Sequence, residues 1–130
     1  MTARETCATY LPEKLVSAPG RIFMSGTVRR DLEKAYGALR AIDATTGERR
    51  WEFKFQTPSF AGVLSTASAV VFGGDNEGNF MAFDARSGRN VWHYQTGSPI
   101  WGGAPMTYML DERQYVVIGS GATITAFALP

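Results

Sequence analysis

The chain has 130 residues, 45% of them hydrophobic and 19% charged, with 13 basic against 12 acidic side chains and a formal net charge of +1. That much apolar material supports a folded core, and the lack of a Gly-X-Y period or a charge block excludes a fibrous or disordered chain. Scattered basic residues near charge balance exclude a dedicated nucleic-acid surface, which needs a clustered positive face to attract phosphates.

Met1 to Lys14 mixes charged and polar groups without an apolar stretch of signal-peptide type, so no signal peptide is read there. Cys7 is the only cysteine, which excludes an internal disulfide; it reads as a small buried hydrophobe rather than a reactive thiol. Arg29 to Lys34 is charged and is predicted to be a solvated loop. Leu32, Ala35, Tyr36 and Leu39 stand at helical spacing. Gly37 interrupts that pattern, however, and an internal repeat equates Ala38 to Asp43 with Asn79 to Asp84, a segment too short and too Gly-flanked for a helix. Farther along, the longest apolar run is Ala67 to Phe72, broken by Ser68, far below the roughly 20 residues of a membrane span. No membrane span is expected.

The repeat organises the chain. Ala41, Asp43, Gly47 and Trp51 recur as Ala82, Asp84, Gly88 and Trp92, each 41 positions on, in the frame A-x-D-x-x-x-G-x-x-x-W. Leu39 and Phe80, Ile42 and Phe83, Ala44 and Ala85, and Phe53 and Tyr94 also fall in equivalent places. A third copy begins with Ile124, Ala126 and Phe127, at a spacing of 44 from Phe80, Ala82 and Phe83, and then Ala128 stands where Asp was. Each copy reads as β-structure: Phe80 to Phe83 and Asn90 to Gln95 form a hairpin whose turn carries Asp84 and Gly88. Gly62 to Ser65, Ser68 to Gly73, Pro105 to Met109 and Gln114 to Gly119 read as further short strands, which gives four per period. A period in the low forties with four strands and a closing Trp matches a propeller blade. The expected fold is therefore all-β, a partial β-propeller of about three four-stranded antiparallel blades. Residues 1–130 form one segment, with approximate units 1–60, 61–101 and an incomplete 102–130.

Asp43 and Asp84 are placed to accept backbone N–H bonds within their turns, while Gly47 and Gly88 suit a positive φ. Trp51 and Trp92 are expected to pack on the next blade, and Trp92→Ala to cost about 3 to 5 kcal/mol. Other constellations read as structural. His93 has no nearby Cys or second His and is not a metal ligand. Asp75, Asn76, Glu77 and Asn79 crowd oxygen atoms together but lack a twelve-residue calcium frame and its closing glutamate, so they read as a turn. Ser65 and Thr66 have no nucleophile context. Trp101-Gly-Gly reads as a loop anchored by an aromatic. No catalytic and no metal-binding residue is assigned.

The A-x-D-x-x-x-G-x-x-x-W frame resembles the tryptophan-docking motif of quinoprotein dehydrogenases, propellers that hold pyrroloquinoline quinone. Gly37-Ala-Leu-Arg-Ala-Ile-Asp43, Pro58-Ser-Phe-Ala-Gly-Val-Leu-Ser-Thr-Ala67 and Gly74-Asp-Asn-Glu-Gly-Asn-Phe80 narrow the likeness to the C-terminal portion of the methanol/ethanol dehydrogenase branch. The resemblance covers nearly the whole chain. It implies a periplasmic, eight-bladed enzyme oxidising primary alcohols, with the quinone near the axis, a calcium ion, an aspartate base and a cytochrome-type electron acceptor. Calcium ligands and base belong to other blades of that family. Ala3-Arg-Glu-Thr-Cys-Ala-Thr-Tyr10 is similar to an internal strand of the family, which places Met1 deep inside an ancestral chain. Two cofactor-binding positions carry over: Phe60, where many relatives have a tryptophan near the quinone, and Ala122 in Gly119-Ser-Gly-Ala122, as a backbone contact. Whether the chain is itself an enzyme stays open at this point. Similar repeats also occur in non-enzymatic scaffold propellers of outer-membrane assembly, the alternative reading.

About four blades are the fewest that close a ring, and about three units are present. The chain is expected to bind no quinone or calcium tightly by itself, to be inactive alone, and to partner with the remaining blades or a second copy of itself.

Overall fold

The computed structural model describes residues 1–14, 19–20 and 26–129, apart from the side chains of Thr2, Arg4, Glu5, Cys7, Arg30, Leu32 and Lys34. The expected burial of Cys7 lies outside the described residues. Ten strands follow one another: β1 (Thr2–Leu11), β2 (Thr27–Ile42), β3 (Arg49–Phe55), β4 (Leu64–Ser65), β5 (Val70–Gly74), β6 (Asn79–Asp84), β7 (Asn90–Gln95), β8 (Met106–Leu110), β9 (Arg113–Ser120) and β10 (Thr123–Ala128). They form three antiparallel sheets in the orders β1-β2-β3, β4-β5-β6-β7 and β10-β9-β8, with no helix among the described residues. The molecule is a partial β-propeller with no closed barrel.

The central strand β6 shows why the sheets stack. Asn79-Phe-Met-Ala-Phe-Asp84 buries four consecutive side chains, because the pleat sends alternate residues to opposite faces and both faces are covered. Met81 and Phe83 face the first sheet, in a cluster with Leu39 and Phe55. Phe80 and Ala82 face the third, with Phe72, Ile100, Val116 and Ile118. Full burial of rings such as Phe80 and Phe83 contributes roughly 1.5 to 3 kcal/mol each.

The two Asp-Gly hairpins repeat at atomic detail. Asp43 Oδ1 accepts from the N–H groups of Thr45 and Thr46, and Asp84 Oδ1 from those of Arg86 and Ser87. Gly47 (φ 74°) and Gly88 (φ 72°) take the left-handed conformation that lets the chain turn back, each donating its N–H to the Asp carbonyl four residues earlier. Trp51 then crosses to the second sheet: its Nε1 donates to the Ala85 carbonyl at 2.8 Å, and a Cβ on Gly88 would lie 2.6 Å from the indole. Glycine is thus required twice at position 88, once for the turn and once for the ring.

Three expectations need correction. Arg29 to Lys34 is strand, not loop: it lies in β2 and pairs with β1 through Cys7↔Asp31, Ala8↔Arg30 and Thr9↔Arg29. The β1 segment supplies a partner edge that local composition does not announce, and the exposed Arg29, Asp31 and Glu33 remain solvated on the paired strand. Four strands are present in the middle sheet only; each outer sheet has three among the described residues. Matching β6 to β10 and β3 to β7, among the described residues the first sheet has no counterpart of the short strand β4, and the third has none of the Trp-bearing β7. Trp92 is 39% exposed, so it packs on the third sheet only in part, edge-on against Phe127 with ring centroids 5.1 Å apart.

Candidate functional site

Strand direction alternates, so the loop after β3, the β5–β6 turn, the loop after β7 and the β9–β10 turn all gather at one end of the stacked sheets. Backbone bonds knit them together: Ile100 N–H to Asp75 O (3.1 Å), Thr96 N–H to Gly78 O (2.8 Å), Gly121 N–H to Pro99 O (3.1 Å) and Gly62 N–H to Gly103 O (2.9 Å). Side chains add to this. Ser59 Oγ donates to Gly74 O at 2.7 Å, and Ser120 Oγ reaches both Thr96 Oγ1 and Ser98 O. At Gly62 a Cβ would stand 2.6 Å from that of Ala104, so the two inter-sheet loops approach as closely as backbone permits.

Phe60 and Ala122 both belong to this end. Phe60 stacks on Trp101, with centroids 4.5 Å apart and planes 11° from parallel. Ala122 is exposed at the tip of the β9–β10 turn, next to the Gly121 that is bonded to Pro99 in the Trp101 loop. The structure therefore places the two predicted residues in connected loops of one surface. It also adds Trp101. Residues 60 and 101 are 41 apart and sit in matching contexts, Thr57-Pro58-Ser-Phe60 and Ser98-Pro99-Ile-Trp101, so the aromatic stack joins equivalent positions of successive units. That extension of the period beyond Trp51 and Trp92 is the signal that the sequence offers for it. Trp101 holds its loop through the Phe60 stack while staying 70% exposed, and its neighbour Ile100 is fully buried and packs against Gly74 and Gly103.

Polar groups nearby divide into two kinds. Asp75 spends both carboxylate oxygens on its own turn, accepting from Glu77 N–H, Asn79 N–H and Asn79 Nδ2, as the turn reading requires. Among the described residues no three of His, Cys, Asp and Glu gather to hold a metal ion. His93 Nε2 meets Asn79 Oδ1 at 2.9 Å, and Thr66 bonds Ser68 and Val70 within a turn. Thr57 Oγ1 and Asn76 Oδ1, in contrast, are buried in the loops of this same end with no hydrogen-bond partner. Such orphans are uncommon in folded proteins.

Residues 53–116 match the family described as "Glucose/ethanol/alcohol dehydrogenase, beta-propeller domain", designated PQQ. The chain is 42% identical over 119 residues to a quinoprotein ethanol dehydrogenase of Pseudomonas aeruginosa, an alignment covering 88% of this chain and 19% of that enzyme. Among solved structures, a europium-containing methanol dehydrogenase superposes with a TM-score of 0.80 at 28% identity, over 93% of this chain and 22% of that one. The quinohemoprotein alcohol dehydrogenase from Comamonas testosteroni superposes with a TM-score of 0.74 at 28% identity, over 93% and 20% of the respective chains. The chain thus spans about a fifth of the length of these relatives. No helix among the described residues is long and apolar enough to cross a membrane. By repeat, by sheet architecture and by these likenesses, the chain belongs to the PQQ-dependent alcohol dehydrogenase family of β-propellers.

Proposed function

We propose that this chain is a C-terminal section of a periplasmic, pyrroloquinoline-quinone-dependent dehydrogenase of primary alcohols, and that it is inactive alone. The carrying observation is a 42% identical match to a quinoprotein ethanol dehydrogenase that takes in 88% of this chain but only 19% of that enzyme. In this reading Phe60 and the Ala122 turn line the quinone site, and the calcium ligands and catalytic base come from other blades. When bound, the quinone supplies the two-electron oxidation of alcohol to aldehyde, and a cytochrome-type acceptor removes the electrons. The residues of this section shape and dry one wall of the site.

The remaining blades, or a second copy of the chain, are the partners. A groove of about 1140 Å³ between the second and third sheets, lined by Phe72, Phe80, Trp92, Val116 and Phe127 among others, runs beside the β10 edge, which has no partner strand among the described residues. β6 pairs with β7 through Phe80↔Tyr94 and Ala82↔Trp92. The 44-residue offset carries that register onto β10 and sets the tryptophan of an incoming strand opposite Ala126. The A-x-D-x-x-x-G-x-x-x-W frame then docks blade on blade, as Trp51 does on Gly88.

Reconstitution with pyrroloquinoline quinone and calcium, followed by dye reduction with primary alcohols, tests the reading. No turnover is expected from the 130 residues alone, and turnover is expected from a complete propeller that includes them. Activity of the isolated chain overturns the proposal. A complete propeller that binds no quinone replaces it with a scaffold of the outer-membrane-assembly type.

A further inference from the structure

We infer that the outer face of the third sheet is a self-association surface, on which a second copy of the chain packs face to face about a two-fold axis. The inference rests on the partner reading above, in which a second copy is one occupant, and names the face that copy uses. Val116 and Ile118 point into the core against the second sheet, so the pleat turns Tyr115 and Val117 outward. The register carries that face across all three strands. Met106, Val117 and Ala126 form one row, Tyr108, Tyr115 and Ala128 the next, and Ile124 stands opposite Gly119. The two tyrosine rings stack with centroids 5.2 Å apart. Among the described residues the one charged group on this face is Arg113, at its rim opposite Leu110. A face rich in Tyr and Met and poor in charge has the composition of an interface core.

Its size suits a pair of copies. Met106, Tyr108, Leu110 and Ile124 are 59%, 41%, 52% and 78% exposed. Together they present roughly 450 Å² on one copy and about 900 Å² on two, close to the roughly 1,000 Å² at which specific interfaces begin. The opposite end of the stack decides between two ways of pairing. On the first sheet Leu39 and Phe55 point inward, which leaves Arg40, Glu52 and Lys54 on the outer face. There Glu52 accepts from both Arg40 and Arg49, and Lys54 lies over the Tyr36 ring at 4.8 Å. Head-to-tail association lays the tyrosine face on these ions and takes them out of water, a desolvation that their pairing does not offset. Face-to-face association keeps the ions wet and is self-complementary, the same patch serving both copies.

Sedimentation equilibrium of the 130-residue chain over a hundredfold concentration range tests this, with Met106→Lys, Tyr108→Lys and Lys54→Ala beside the parent. Met106 and Tyr108 lie on β8, two strands from the β10 edge, so both variants leave that edge open to strand addition. Each is expected to weaken association about tenfold, while Lys54→Ala and a rise in salt from about 0.05 to 0.5 M leave it unchanged. Met106→Lys should melt with the parent, because that side chain is already mostly in water; it carries the test if Tyr108→Lys, which loses the tyrosine stack, folds poorly. Association unchanged in Met106→Lys overturns the inference and leaves the second copy at the β10 edge. Loss in Lys54→Ala, or dissociation by salt, overturns it in favour of head-to-tail pairing. A parent that stays monomeric overturns both this face and the second-copy partner and leaves the remaining blades, while the reconstitution decides the quinone reading separately.

Discussion

Trp51 and Trp92 hold equivalent places in the repeat, yet only Trp51 finds a complete seat. Its indole N–H is bonded to Ala85 O, and its ring covers Gly88, where a Cβ would lie 2.6 Å away. Trp92 meets the edge of Phe127 and stacks beside Tyr94, with 39% of its surface exposed. Burial decides the cost of truncation, since a ring that is already wet loses less transfer energy and leaves no sealed cavity. Trp51→Ala is expected to cost about 3 to 5 kcal/mol and Trp92→Ala about 1 to 2 kcal/mol, although sequence equivalence implies equal costs. Urea titration of both variants by far-ultraviolet circular dichroism checks the order. Equal losses would mean that Trp92 has a seat in solution that the structure does not show. The same asymmetry marks position 47, where a Cβ would meet nothing within 4 Å, so the Gly47 turn has room for a ring that Gly88 already carries.

At the scale of elements, the parts legible in the sequence are those whose geometry is local. The Asp-Gly hairpins announce themselves because Asp accepts from its own turn and Gly takes positive φ, and β7 runs over the Asn90–Gln95 segment read from sequence. The start of β2 is illegible because Arg29 to Lys34 is strand only by virtue of β1, a partner distant in sequence. In the site, Phe60 and Ala122 are reached by likeness, whereas the exposure of Trp101 is illegible because exposure is a property of the packed sheets. The hairpin turns also carry a pH dependence. The Arg50 guanidinium and the turn N–H groups hold the Asp43 carboxyl below the usual carboxylate range, and the Ser87 hydroxyl and N–H do the same for Asp84. A lowered folded value means the stabilisation is fully present above the unfolded value of about 3.9 and is lost as pH falls through the folded one. The melting temperature should therefore hold between about pH 5 and 7 and fall below about pH 4, with a shallower fall in Asp84→Asn. Thermal melts across that range read the slope, and an identical acid limb in the variant would remove Asp84 from the account.

At the scale of the whole molecule, three stacked sheets leave two ends of a circular arrangement open. The β10 edge has no partner strand among the described residues, Ile124 on it is 78% exposed, and β7 shows Val91, Trp92 and Tyr94 to solvent beside the apolar groove. An extended apolar edge next to an unfilled groove is a template for pairing with another chain. Net charge near zero gives little repulsion to oppose it. The isolated chain is accordingly expected to associate reversibly at tens of micromolar, through strand addition at β10 rather than through the polar Asp-Gly turns. A lysine on that edge is costly to bury against an incoming strand but costs the monomer little, because the position is already in water. Ile124→Lys should therefore shift the sedimentation profile toward monomer by about tenfold in concentration while leaving the thermal melt in place. Sedimentation velocity of the parent chain and Ile124→Lys over a hundredfold dilution series separates the cases: a parent chain that stays monomeric throughout, or a variant that associates as readily as the parent, would show that the open β10 edge is not where this molecule meets its neighbours.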